Sequence, residues 1–242
     1  MHKTLAAFAT ATAALALLAG GPAAASVWLL GPTANSDGNV VSASANITTV
    51  GDLITIELTN LTADMFASNQ AISDLLINFT TDVGDVSNFT QAGQLGNIDD
   101  DGNVTFIGGV PTRWDPFTVA GNTYLDVLGG GKPNNMIASL DIGDPNGGLD
   151  NFNPYIMGTG TFTMNLPGAS LLKIGTVNFS FGTNHEFVGG GNCTSGCTPP
   201  PPPPPPPPGG IPEPTTWALM ILGFGGAGAM LRRARRTQLL PT

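Results

Sequence analysis

The chain has 242 residues, of which 17 are acidic, eight are Lys or Arg and two are Cys. Within residues 26–198 the imbalance is larger, since 16 acidic side chains face three basic ones, a net charge of −13. A region this acidic repels the phosphates of nucleic acids, and no basic stripe offsets it, so nucleic-acid binding is not expected.

The first 25 residues have the three parts of a secretory signal peptide. Lys3 supplies the positive charge, residues 5–18 form an apolar run, and Ala23, Ala24 and Ala25 form a small-residue cleavage site. The apolar run is too short for the ~20 residues that a membrane-spanning helix needs. We therefore predict handling by the secretion machinery and by signal peptidase, with the mature chain beginning at Ser26.

Residues 26–198 are predicted to be β throughout. Apolar and polar residues alternate within residues 53–60, and a short connection joins that segment to residues 40–49, which is typical of a hairpin. Turn-forming residues separate the further predicted strands. These strands are 72–79, 104–107, 124–128, 136–142, 160–166 and 174–181. A helical turn is indicated only at 63–70. Short strands without intervening helices predict an all-β fold, an antiparallel β-sandwich or jelly roll.

Two cysteines, Cys193 and Cys197, close a very small loop at the end of this region. In an exported protein such a pair predicts a disulfide. Metal binding is the alternative, although no second Cys/His pair completes four ligands.

Ten consecutive prolines occupy residues 199–208. Polyproline forms an extended helix that rises ~3.1 Å per residue, so this run spans about 30 Å. We predict a stiff linker over residues 199–210; a docking site for a proline-recognising domain is the alternative.

An apolar stretch follows at residues 217–231. As a helix it is about 22 Å long, which is short for a hydrocarbon core of ~30 Å. Trp217 suits the outer interface, and basic side chains suit the cytoplasmic one: Arg232, Arg233, Arg235 and Arg236. We predict one transmembrane helix over 217–231 and a cytoplasmic tail over 237–242.

The start of this segment carries a Pro-Glu-Pro-x-x-Trp-Ala motif, formed by Pro212, Glu213, Pro214, Trp217 and Ala218. With the apolar stretch and the arginines, residues 211–236 resemble the PEP-CTERM sorting domain of the PEPxxWA subtype. The resemblance implies an exosortase that cuts near Pro-Glu-Pro, a Gram-negative host and an association with extracellular polysaccharide. It also implies export across the inner membrane, transient anchoring there, and a final location at the cell surface, the outer membrane or the matrix.

No catalytic arrangement can be singled out in residues 26–198. His185 is the one histidine outside the predicted signal peptide, and no Gly-x-Ser-x-Gly elbow occurs. We expect no enzyme and no cofactor, except that Ca²⁺ is a candidate for two Asp-rich loops. Their oxygen-bearing residues are Asp99, Asp101 and Asn103 in one loop, and Asp141, Asp144, Asn146 and Asp150 in the other. Solvated turns are the alternative.

The function expected from the sequence is a non-enzymatic structural or adhesive role at the surface or in the exopolysaccharide matrix. A carbohydrate-binding module for extracellular polysaccharide is the alternative, in which Trp114, Tyr124 and Tyr155 form a sugar-stacking surface. Burial of these aromatic residues in the core is an equally open interpretation. A secreted hydrolase is the third hypothesis.

Overall fold

The computed structural model describes residues 24–129, 131–145, 148–197, 220–222 and 224. The chain divides into two compact units between Pro199 and Pro200. Strands dominate the described part of the first unit, so the all-β prediction is confirmed. In the second unit, residues 220–222 and 224 are helical and exposed, and the rest of the predicted 217–231 helix lies outside the described residues. No helix among the described residues is long and apolar enough to cross a membrane.

The strands follow one another with short connections: β1 Ala24–Ala34, β2 Val40–Val50, β3 Leu53–Asn60, β4 Ile72–Phe79, β5 Ser87–Ile98, β6 Val104–Ile107, β7 Asp115–Val119, β8 Asn122–Asp126, β9 Ile137–Ala138, β10 Tyr155–Asn165, β11 Ile174–Phe181, β12 Phe187–Gly190 and β13 Asn192–Ser195. Single turns of 3-10 helix lie between some of them, at Ser68–Gln70, Asp150–Phe152 and Leu171–Lys173.

Antiparallel pairing arranges the strands in two groups. The first has the order β6-β5-β10-β3-β2-β1-β13, and the second has the order β12-β11-β4-β8-β7. The short β9 links the groups, because Ile137 pairs with Ile72 of β4 while β9 also runs parallel to β10. Buried Asn60 strengthens this link, since its Nδ2 donates hydrogen bonds to the carbonyl oxygens of Gln70 at 2.8 Å and Ile137 at 2.9 Å.

Alternation along the strands decides which side chains enter the core. In β3, Ile54, Ile56 and Leu58 are fully buried, whereas Leu53 and Glu57 are exposed. The second strand group contributes to the same buried cluster, through Leu75, Ile77, Val177 and Phe179. Because burying one large aliphatic or aromatic side chain contributes roughly 1.5–3 kcal/mol, this shared cluster is the main source of the stability of the domain.

One predicted strand is mostly wrong. Of residues 136–142, only Ile137–Ala138 form a strand. Beyond it the Ser139 Oγ donates a hydrogen bond to the Thr62 carbonyl at 2.6 Å and accepts one from the Asp141 N–H at 3.1 Å. These local bonds replace the sheet ladder, so the chain turns away and Leu140 is left 67% exposed.

The connection from β12 to β13 carries the chain from the second strand group to the first. It consists of Gly191, where an added Cβ would lie 2.9 Å from Phe179 Cε2 and 3.4 Å from Trp28 Cβ. Only glycine fits so close an approach without displacing a neighbour. β13 then pairs with β1, with Ser195 opposite Val27 and Cys193 opposite Trp28.

β1 begins before the predicted cleavage point. Ala24 and Ala25 pair with Thr49 and Thr48 of β2, and Ser26 pairs with Ile47. Cleavage after Ala25 would remove only the first pairs of this ladder and leave β1 from Ser26 onward. That cleavage site stays a prediction, as do the boundaries of the proline linker and the cytoplasmic tail, whose residues lie outside those described.

Candidate functional site

Four polar side chains form a row across the second strand group. Asp74 of β4 lies directly opposite Asp126 of β8, with Ser180 of β11 on its other side. Asp115 of β7 lies opposite Asp126 and completes the row. Residues directly opposite one another in antiparallel strands share a face, so like charges are forced together here.

His185 reaches this row from the turn that follows β11. Gly182 has a φ of +85° and donates its N–H to the Ala71 carbonyl at 2.8 Å, and the Ser180 Oγ donates to the Asn184 carbonyl at 3.1 Å. The positive φ suits glycine, which has no Cβ to clash. The turn places His185 Nδ1 3.5 Å from Asp74 Oδ2 and 4.0 Å from Asp126 Oδ1.

The two carboxyl groups differ from ordinary surface acids because they are buried. Asp74 is 1% exposed and Asp126 is 8% exposed, whereas the His185 side chain is 59% exposed. Burial above all, then the neighbouring carboxyl group of Asp126, raises the pKa of Asp74 from 3.8 to about 8. Asp74 Oδ1 is buried and has no hydrogen-bond partner.

Asp126 is oriented by its own chain. Its Oδ1 accepts the N–H of Leu128 at 2.5 Å.

Among the described His, Cys, Asp and Glu residues, Asp74, Asp126 and His185 make the one group of three whose ligand atoms all lie within 4.8 Å of one another. Such a cluster can hold a cation or share a proton. The sequence alone does not indicate that these residues meet, because Asp126 lies 52 positions after Asp74 and His185 lies 59 positions after Asp126.

The first Asp-rich loop predicted for Ca²⁺ forms a self-contained turn. Asp99 Oδ1 accepts the N–H groups of Asp101 at 3.1 Å and Asn103 at 2.7 Å, and the hydrogen bonds from Asn103 lower the pKa of Asp99. Local hydrogen bonds therefore already satisfy this carboxylate, as in an Asx turn.

The second loop is not gathered around a common point in the described residues. Asp141 Oδ2 accepts the N–H of Asp64 at 3.2 Å, Asp150 begins a 3-10 turn, and Asp144 is exposed. Asn146 lies outside the described residues. Calcium binding at either loop stays a prediction.

The three aromatic residues proposed for sugar stacking do not form one surface. Trp114 is 3% exposed and donates its Nε1–H to the Asn135 carbonyl at 2.7 Å, and buried Tyr155 donates its hydroxyl to the Leu149 carbonyl at 3.0 Å. Tyr124 instead stacks on Phe117, with ring centroids 4.9 Å apart and planes 8° from parallel. Since Tyr124 and Phe117 pair one row beyond Asp126 and Asp115, this stack lies on the same sheet face as the acidic row.

Cys193 and Cys197 are paired as a disulfide, with Cα atoms 6.1 Å apart. Cys193 belongs to β13, so the small loop lies at the C-terminal end of the ladder between β1 and β13.

Comparison with protein families places one further functional element at the end of the chain. Residues 210–236 match the family model described as the PEP-CTERM protein-sorting motif. This segment is similar to PEP-CTERM sorting sequences. No curated protein and no solved structure matches the chain.

The PEP-CTERM match confirms the resemblance seen at residues 211–236, and it covers that segment only. It implies export, exosortase as the processing partner, and sorting in association with a membrane. The motif residues Pro212, Glu213, Pro214, Trp217 and Ala218 lie within the match but outside the described residues, as do the four arginines at 232, 233, 235 and 236.

Proposed function

We propose that this protein is an exosortase-sorted component of the cell surface or exopolysaccharide matrix with a non-enzymatic structural or adhesive role. The match of residues 210–236 to the PEP-CTERM motif carries this proposal. In the proposed route, signal peptidase and the secretion machinery deliver the chain across the inner membrane. The C-terminal segment anchors it there, and exosortase then releases it to the surface, the outer membrane or the matrix.

The fold supports a structural or adhesive role. We infer that the two strand groups are the layers of an antiparallel sandwich, with jelly-roll-like topology, because both supply side chains to one buried cluster. Net charge of −13 over residues 26–198 favours solubility outside the cell.

The sorting step is tested by changing the motif in the natural host. Glu213→Ala together with Pro214→Ala should leave a longer form of the protein in the membrane fraction, because exosortase would not process the altered motif. Immunoblots of membrane, surface and medium fractions measure this, with Thr216→Ala as the control inside the same segment. An exosortase-deletion strain should reproduce the defect; an unchanged distribution of the wild-type protein in that strain would contradict the proposal.

A second candidate function, carbohydrate binding, is favoured by exposed Phe117, which stacks on half-buried Tyr124. Phe117 is 39% exposed on the edge strand β7, and flat aromatic surfaces of this kind stack on sugar rings. Trp114 is unsuitable as the probe of this function, because its burial means that Trp114→Ala would damage the core. Phe117→Ala is the informative variant.

The third hypothesis, a hydrolase, has less support. One carboxyl oxygen of Asp74 lies within 4.8 Å of one carboxyl oxygen of Asp126. Glycosidases of the two common mechanisms hold their carboxyl groups about 5–9.5 Å apart, so that a sugar or a water molecule fits between them. The Asp74–Asp126 pair is too close for that role.

A further inference from the structure

We propose that Asp74, Asp126 and His185 bind one divalent first-row transition-metal ion of the Zn²⁺ or Mn²⁺ class. The donor set combines two carboxylates with one imidazole. Imidazole and carboxylate together suit these ions, whereas Ca²⁺ requires six to eight oxygen ligands.

The distances between the donor atoms fit such an ion. Ligands that bind at about 2.0–2.2 Å in a tetrahedral arrangement lie about 3.4 Å from one another. His185 Nδ1 lies 3.5 Å from Asp74 Oδ2 and 4.0 Å from Asp126 Oδ1. One ligand atom from each of the three residues lies within 4.8 Å of the other two, so this spacing suits one shared ion.

The burial of Asp74 is the second and independent observation. Its side chain is almost wholly inaccessible. The Oδ2 atom, which lies near His185, accepts a long hydrogen bond of 3.4 Å from the Ser73 hydroxyl, and the Oδ1 atom of the same carboxyl group has no hydrogen-bond partner. Buried polar groups without a partner are costly and rare, so a missing ligand is a physical explanation for this one. A cation between Asp74 and Asp126 would also remove the repulsion of two acids placed directly opposite each other.

The surroundings hold the three ligands in place. The Leu128 N–H fixes the Asp126 carboxylate, and the Ser180 Oγ anchors the turn that carries His185 through the Asn184 carbonyl. Hydrogen bonds of this kind orient metal ligands in known sites. Three protein ligands leave one position of a tetrahedral ion open for a water molecule or a further ligand.

The test is calorimetric titration of the full chain, purified in mild non-reducing detergent solution and freed of metal with EDTA. ZnCl₂ and MnCl₂ are added separately at pH 7.5, and bound metal is counted by elemental analysis. We expect one ion per chain, with His185→Ala and Asp126→Asn each weakening binding at least tenfold. Asp99→Asn, which changes the exposed Asx turn, should leave the affinity unchanged.

Both weakened variants should keep the fold. His185 is exposed, and the amide introduced by Asp126→Asn still offers a side-chain oxygen to accept the Leu128 N–H. Near-ultraviolet circular dichroism of the metal-free proteins checks this. Absence of binding to the wild-type chain would overturn the proposal, and a proton shared between the two carboxyl groups would then explain the cluster. Binding that is undiminished in both folded variants, or lost only in Asp99→Asn, would overturn it as well.

Discussion

Asp74 lies in the middle of a sheet ladder, between Ser180 and Asp126, where the backbone prevents it from moving away from either neighbour. Its carboxyl group faces the carboxyl group of Asp126 and the imidazole of His185. In the metal-free protein the favourable state of Asp74 is therefore the neutral one, because a protonated carboxyl both avoids desolvation of a charge and donates a hydrogen bond.

The raised pKa of Asp74 predicts how stability depends on pH. Between about pH 4 and pH 8 the folded state retains a proton that the unfolded state has released, so the free energy of unfolding falls as pH rises, by up to about 1.4 kcal/mol per pH unit. Urea unfolding of the EDTA-treated protein at pH 5, 6, 7 and 8 measures this slope.

Asp74→Asn keeps the shape of the side chain and removes its titration, so it should flatten the slope. Asp115→Asn, at the exposed end of the same row, is the control and should keep the wild-type slope. Both variants retain Asp126 and His185, the other titratable groups that face Asp74. A wild-type slope in Asp74→Asn would show that another group causes the pH dependence.

At the scale of elements, the passage from β12 to β13 depends on one residue. Gly191→Ala should lower the free energy of unfolding by about 1–3 kcal/mol, because the new methyl group would press on Phe179 and Trp28 in a packed core. Thermal unfolding measures the loss. Gly31→Ala in β1 is the matched control, since an added Cβ there has nothing within 4 Å and should change stability by less than about 0.5 kcal/mol. Equal stability of the two variants would contradict the close packing around Gly191.

The sequence predicted strands where apolar and polar residues alternate. β3, β10 and β11 have that pattern, and their inward residues are buried. β5 was not predicted because its first, more exposed half is rich in Ser, Asn, Thr and Gln and contains a glycine, and only its end is buried. β7 contains Pro116, which lowers the expectation of a strand, although an edge strand such as β7 tolerates it.

The candidate site could not be predicted in the same way. Asp74, Asp126 and His185 meet only because β4 pairs with β8 in a particular register and the turn after β11 folds over that pair. A shift of one residue would send either Asp to the opposite face of the sheet. Composition and local periodicity carry no information about such a register, whereas the PEP-CTERM motif is contiguous and is therefore readable directly.

At the scale of the whole molecule, the proposed carbohydrate binding would depend on two features, the net charge of the domain and the stack of Phe117 on Tyr124. With a net charge of −13 over residues 26–198, long-range repulsion disfavours strongly acidic polymers at low ionic strength. Stacking on Phe117 and Tyr124 does not depend on charge. Neutral exopolysaccharide is thus the expected ligand class if the protein is an adhesive.

Retention on the host's immobilised exopolysaccharide measures this. The wild-type protein should be retarded, and Phe117→Ala should reduce the retardation severalfold because it removes one ring of the stack. Val119→Ala alters a neighbouring exposed apolar residue of β7 and should behave like the wild type. Unretarded passage of the wild-type protein would leave the structural role without the adhesive one.

The pairing of β1 with β13 joins the two ends of the described domain. The Thr194 Oγ1 donates a hydrogen bond to the Val27 carbonyl across a separation of 167 positions. During synthesis from the N-terminus, β1 is the first of the described strands to be made and β13 is the last. The edge of β1 that pairs with β13 therefore stays uncovered until β13 has been made. An interrupted chain would expose the unpaired edge of β1, which is a template for aggregation. The edge of β1 is therefore protected from aggregation only once β13 has formed, just before the proline run and the sorting segment in the sequence.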